Sequence, residues 1–548
     1  MKLKDARCHG EATTLLTESF RLAPDQADVH LALAAMGVKM GNVNAAISDP
    51  APLLATYETL IADLYKTRQY SQVIIGRMEI CRLMPANPRA WIELGMAQMM
   101  HDEYPEAAAN LARAICMNPA DTEPLQSFMN CLSRITPLTF NPDVKEALQV
   151  CFRTPYAASF QAAYRTWQSI VFTAPETAAL KIPVQAASES VFTSWVENLD
   201  HEKTAPLRDR FFCDGLRLMI VINADMENFL TRIRRWLCLH PDKIEDDGFL
   251  PFLCALAEQC FYNEFVFFLT EEESERVTAL ACATPENMTV SQMVLLGCYM
   301  PLYRTFPDGP GQPLRDSAES DPSLTAMIRT HFDNPAEEKR LEQEIPTFGT
   351  IAAGVSRAVQ DQYEENPFPR WISTFSAAPR NTDAIFPREE RSREMDVLVA
   401  GCGTGQHAIN VAATYPNARI TAIDLSRASL SYAQRKANEI GFGNRIKFTH
   451  ADILSMQDWP RKFDMIEAAG VLHHMALPFQ GWRILKDRLQ PGGYFKVALY
   501  SELARRHIWA MRAAIRKYGF PSTPEGIRAC RQMILDPAGD PEMQKFFL

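Results

Sequence analysis

Hydrophobic positions in this 548-residue chain follow two different rhythms. Up to about residue 305 they recur at the spacing of amphipathic helices, as in Leu216–Leu237. From residue 395 onward, short continuous apolar runs take over. Met395–Ala400, Ala418–Asp424, Arg445–His450, Phe463–Ala469 and Leu489–Tyr500 read as strands of a buried sheet. Between the second and third, Arg427–Ile440 places Leu430, Ala433, Ala437 and Ile440 on one helical face. Thr350–Glu364 is predicted as another helix, carrying Ile351, Val355, Ala358 and Val359 on one side.

The stretch Gln362-Tyr-Glu-Glu-Asn-Pro-Phe-Pro-Arg-Trp371 ends that helix. A residue before proline is pushed out of helical geometry, so two prolines predict an extended strap. The region 345–375 is therefore expected to lay aromatic residues over a cleft, with Tyr363, Pro367, Phe368, Arg370 and Trp371 as candidate substrate contacts. Phe306-Pro-Asp-Gly-Pro-Gly-Gln-Pro opens a predicted linker over 306–330, and Ser376–Glu394 a second one. Phe249–Leu269 is the most apolar stretch, yet it contains Glu258, Gln259, Asn263 and Glu264. Charges at mid-span are costly in lipid, so a buried helix is expected and not a membrane span.

The first strand runs directly into Gly401-Cys-Gly403-Thr-Gly405-Gln406, and Asp424 closes the second strand nineteen residues after the last glycine. Glycines let backbone approach a ligand, and the acid can reach ribose hydroxyls. A dinucleotide fingerprint would need glycine where Gln406 stands, and no lysine-serine pair follows for a phosphate loop.

This loop resembles motif I of the class I S-adenosylmethionine (SAM) dependent methyltransferases. The resemblance continues through Ala451-Asp452-Ile453, through Phe463–His474, and through the Leu489-Gln-Pro-Gly-Gly turn and its strand. It implies an α/β Rossmann-like domain over 391–548, with SAM held by Gly401, Gly403, Gly405, Gln406, Asp424, Leu425, Asp452, Ile453 and Gly470. His473 and His474 are the histidines of the fourth strand's exit loop and candidate proton acceptors. The alternative is that one packs on the cofactor while the other bonds backbone. Cys402 is expected to be a small filler, not a nucleophile. The superfamily closes its sheet with two further strands, but 519–548 offers no strand pair, so a truncated sheet is expected. Glu502–Tyr518 reads as a basic helix, a solvated face able to steer an acidic substrate.

In the amino-terminal region, Trp91, Leu94, Gly95, Ala107, Leu111, Ala114 and Pro119 match the spacing of a tetratricopeptide (TPR) repeat. Pro85 sits thirty-four residues before Pro119. Partial repeats are expected around 11–24 and 30–46. The strap is similar to a signature of bacterial proteins that join TPR repeats to a class I methyltransferase. The expected plan is multidomain: TPR-like helices at 1–135, a helical middle domain at 140–305, then the α/β domain. Such repeats imply a groove for a protein or peptide partner. Three readings stay open: a methyltransferase acting on a protein, one acting on a small molecule, and a SAM-binding scaffold.

A net charge of −10 argues against wholesale nucleic-acid binding. The thirteen cysteines form no Cys-x-x-Cys pair, so neither a metal site nor a disulfide framework is expected. The first residues carry no apolar signal core. The expected location is cytoplasmic, and oligomeric state is left open.

Overall fold

The computed structural model describes residues 51–135, 140–154, 159–186, 189–198, 201–245, 248–374 and 392–535. The partial repeats expected before residue 50, and most of the second linker, lie outside them. The chain divides into two compact units, Met1–Thr173 and Ala174–Leu548.

The first unit includes a run of packed helices: α1 (Ala51–Lys66), α2 (Tyr70–Leu83), α3 (Pro88–Met100), α4 (Tyr104–Met117), α5 (Glu123–Leu132) and α6 (Pro142–Phe152). Prolines open α3 to α6, where their missing N–H costs nothing, and Asn87 and Asn141 cap the starts of α3 and α6. The α3–α4 hairpin packs tightly because Gly95 faces Leu111. A Cβ there would stand 2.7 Å from the leucine Cγ. The middle domain was expected to begin at 140, but α6 belongs to the first unit. Val144, Ala147, Leu148 and Cys151 are buried, and α6 packs on α4.

The second unit opens with helices, among them α7 (Arg210–Leu218), α8 (Ala224–Leu239) and α9 (Leu250–Tyr262). The predicted run Leu216–Leu237 is broken at 219–223, where Asn223 caps α8. Buried Gln259 holds that break, donating to the carbonyls of Leu216 and Met219 and accepting from the Val221 N–H. Its neighbour Glu258 pairs with Arg217 at 2.7 Å and accepts from Thr330. Burial raises the Glu258 pKa. The polar residues of the apolar stretch therefore lock α9 to its surroundings. Among the described residues no helix is long and apolar enough to cross a membrane.

Residues 306–330 are not a linker. They hold α10 (Gln312–Ala318) and α11 (Pro322–Ile328), and Leu324, Met327 and Ile328 are buried, with α11 packed on α9. The prolines mark helix starts, with Asp321 capping α11. Next come α12 (Asn334–Glu344), strand β1 (Thr347–Phe348) and α13 (Val355–Glu365).

The sheet adds β2 (Met395–Ala400), β3 (Ala418–Asp424), β4 (Ile446–Ala451), β5 (Phe463–Ala469) and β6 (Leu489–Ala498). Its order is β1-β4-β3-β2-β5-β6, and every pair is parallel. Helices α14 (Gln406–Thr414), α15 (Arg427–Glu439) and α16 (Pro478–Asp487) join successive strands. The edge strand β1 was not expected. It comes from the segment before the strap and extends the sheet beyond β4. Among the described residues no strand follows β6. The chain continues as α17 (Arg506–Tyr518) and α18 (Pro524–Leu535). The last helix returns to the helical part, with Arg531 on buried Glu227 and Arg528 on the Phe265 carbonyl.

Candidate active site

The site grows from the turn after β2. Gly401 and Cys402 donate to the Ile423 carbonyl, tying the loop to the end of β3. Gly405 enters α14 at φ +84°, and a Cβ there would lie 2.4 Å from Ala433 on α15. Glycine alone allows both this backbone and this contact. Asp424 ends β3 with one carboxylate oxygen accepting from the Gly403 N–H at 2.8 Å and the other from the Ser426 N–H at 3.0 Å. Burial raises its pKa, while those backbone donors oppose the shift.

Asp424 borders a cavity of about 310 Å³, within the usual size of ligand sites. Gly401, Gly403, Gln406, Leu425, Asp452, Ile453 and Gly470 line it as well; Gly405 is not among the lining residues. Asp452 accepts from the Leu454 and Ala352 N–H groups, so the segment after β1 is fastened to the cavity wall.

The strap forms part of the roof. Tyr363, Phe368 and Pro369 line the cavity. Three expected substrate contacts are not among the residues lining it. Trp371 is buried and donates to the Thr404 carbonyl, while Thr404 donates back to the Pro369 carbonyl. Tyr432 and Lys436 on α15 donate to the carbonyls of Trp371 and Ile372. Arg370 turns away to Glu264 at 2.8 Å and lies over Phe261. Pro367 borders a separate cleft. The indole and the guanidinium are therefore fasteners of the strap. At its start Glu364 accepts from the Arg427 and Ala428 N–H groups, capping α15, and Ser426 donates to the Tyr363 carbonyl.

Of the two expected histidines, His474 lines the cavity and His473 does not. The His473 ring packs 4.1 Å from Tyr500, and both its nitrogens are buried without a hydrogen-bond partner. Burial, helped by nearby Arg505, lowers the pKa of both. The Cys402 thiol is pushed well above its ordinary value by burial and by Asp424, which leaves it inert.

A pair that sequence reasoning missed stands on the opposite wall. His407, in the first turn of α14, lines the cavity and holds buried Glu467 of β5 through Nε2 at 2.6 Å. Lys496 of β6 approaches the same carboxylate at 3.2 Å. Burial pushes the Glu467 pKa up, but the His407 hydrogen bond and the nearby Lys496 ammonium more than offset it, leaving it below the usual range. The spacing of Gln406-His407 after the glycines was visible. That β5 aims Glu467 at it was not.

The chemistry of the wall fits SAM. Two carboxylates, Asp424 and Asp452, face the cavity, suited to ribose hydroxyls and an adenine amino group. Among the described residues no arginine or lysine lines it. That donor set suits a cationic ligand without phosphate.

Residues 391–530 match the family model described as a methyltransferase domain. An uncharacterised protein from Synechococcus sp. is 33% identical over 180 residues, 31% of this chain and 42% of the relative. Methyltransferase GfsG from Streptomyces halstedii is 27% identical over 27% of this chain and 60% of its own. Among solved structures, PKMT2 from Rickettsia typhi in complex with AdoHcy is 23% identical, covering 27% of this chain and 29% of that one, at a TM-score of 0.23. The matched part of this chain spans between 42% and 62% of the length of the first three curated relatives.

Proposed function

We propose that this chain, with its carboxy-terminal methyltransferase domain, transfers a methyl group from SAM to a protein acceptor recruited by the helical hairpins of its first unit. The observation that carries the reading is the Asp424 carboxylate, fixed by the Gly403 and Ser426 N–H groups inside a cavity free of lining cations among the described residues. Bound SAM supplies an electrophilic methyl group. The chain's own tasks are to orient the acceptor, exclude water and take up a proton.

Asp424 would hold the ribose hydroxyls, and Asp452 with Ile453 the adenine. Phe368 and Tyr363 roof the cavity against water. Glu467 keeps the His407 ring turned so that Nε2 meets its carboxylate, and no bond to Nδ1 is formed among the described residues. His407 is thus the group best placed to take the acceptor's proton as the acceptor's lone pair closes on the methyl carbon. The carbon–sulfur electrons remain on sulfur. This reading moves the general base from His473 and His474, which have no carboxylate partner among the described residues, to His407.

Support for a protein acceptor comes from the α3–α4 hairpin, whose Gly95–Leu111 approach and proline spacing match a repeat array. A small-molecule acceptor is the second reading, favoured by the strap's roof over the cavity. Labelled SAM incubated with the protein and a cell extract separates the two. Label in protein, lost with Asp424→Ala, supports the first. Label confined to small molecules supports the second, and SAM binding without transfer sinks both.

A further inference from the structure

The mouth of the cavity has a surface that methyl transfer alone does not explain. Five large apolar side chains lie around it or on the helix that leads from it: Phe368, Leu477, Phe479, Leu503 and Trp509. Each is more than half exposed. Phe368, Met475 and Tyr500 line the cavity itself, and Leu477 and Phe479 follow Met475 directly in the chain. The Arg505 guanidinium lies 3.4 Å over the Tyr500 ring, which sets the start of α17 at this same rim. Large apolar side chains gathered at one exposed site mark an interaction surface more often than scattered single ones do.

Helix α17 gives the partner's sign. It carries Arg506, Arg512, Arg516 and Lys517, with no acidic residue, in a chain whose net charge is −10. None of its residues is buried. Ile508, Met511 and Ile515 form its half-covered side, while Trp509, Arg512 and Arg516, spaced three and four apart, share an exposed stripe. The Arg512 guanidinium sits 5.4 Å from the Trp509 ring centre, so cation and aromatic present one amphipathic surface. A helix with basic and aromatic residues on its outer side, beside exposed leucine and phenylalanine, has the make-up of an element lying in a lipid–water interface.

We infer that the rim and α17 dock on an anionic lipid surface, so that the cavity opens toward a membrane and its acceptor is met there. The aliphatic members of the rim favour lipid over nucleic acid. Phosphate backbones are held by cations and bases by aromatic stacking, and neither needs Leu477 or Leu503 exposed. Docking itself is independent of methyl transfer; only the placement of the acceptor rests on that reading.

The test is co-sedimentation of the purified full chain with vesicles of phosphatidylcholine alone, or of phosphatidylcholine mixed with phosphatidylglycerol. Binding is expected only to the mixed vesicles and should weaken as salt is raised. Arg512→Gln with Arg516→Gln should lower partitioning roughly thirtyfold, from about 1 kcal/mol per cation near the surface. Leu503→Ser with Trp509→Ser should weaken it while leaving its salt dependence intact. All four side chains are exposed, so circular dichroism and SAM titration should match the parent chain. That comparison also separates the outcomes: reduced vesicle binding by the variants with SAM binding kept supports the docking surface, and a parent chain that binds SAM but neither vesicle overturns the docking surface alone. No binding to either vesicle overturns the inference. So does binding that both double variants retain, or salt-sensitive binding to single-stranded RNA without binding to vesicles.

Discussion

Asp424 and Gly405 show how single residues make this site. Asp424 fixes the loop with both carboxylate oxygens, one accepting from the Gly403 N–H and the other from the Ser426 N–H, and it borders the cavity. Gly405 lets α14 start directly against α15. Gly405→Ala should destabilise the domain by about 1–3 kcal/mol, because a positive-φ alanine is strained and its Cβ meets Ala433; a urea melt measures it. At the opposite wall, Glu467→Gln removes the charge that orients His407. Transfer of label should fall by about ten- to a hundredfold, at a general base's usual worth, while SAM affinity stays within about twofold of the parent. A matching loss of SAM affinity would mean that the pair holds the cofactor. The sequence made the glycines and Asp424 legible because both requirements are local. His407–Glu467 was illegible because it joins a helix turn to a strand sixty residues later.

Among the elements, the strap differs most from its sequence-based expectation. Two prolines in an aromatic run did predict an extended segment. Which way each side chain faces depended on contacts far along the chain, such as Glu264 for Arg370 and Thr404 for Trp371. The supposed linker at 306–330 misled for a related reason: proline and glycine punctuate helix starts as readily as loops. Its helix α11 leads into His331, fully buried, with Nε2 on the Ala257 carbonyl and the Leu302 N–H directed at Nδ1. Burial lowers its pKa from the ordinary 6.5 to about 4. The unfolded chain then binds more protons between those values, so stability is full above pH 6.5 and is lost as pH falls toward 4. The slope approaches about 1.4 kcal/mol per pH unit. Urea melts across that window should show this slope, and His331→Gln should flatten it.

The second unit joins its helical part and its sheet through paired charges. Arg435 meets Glu338 at 2.8 Å, Arg370 meets Glu264, and Arg531 of the last helix meets Glu227, whose side chain is almost wholly buried. Removing one member of a buried pair strands the other, so Arg531→Ala should cost about 3 kcal/mol. With such links the unit should unfold in one calorimetric transition; separate transitions for the helices and the sheet would show that the pairs do not couple them. At this scale the sequence announced a helical region followed by an α/β domain. It did not announce that residues before the strap supply an edge strand to the sheet, or that the last helix closes back on the helices.

The central claim is that the cavity at the end of β2 and β3 binds SAM through Asp424, and titration calorimetry on the purified chain tests it directly. The account predicts one SAM bound per chain and, with Asp424→Ala, an affinity about ten- to a hundredfold weaker, the worth of hydrogen bonds to a charged group. No binding by the parent chain, or undiminished binding by the variant, would contradict it.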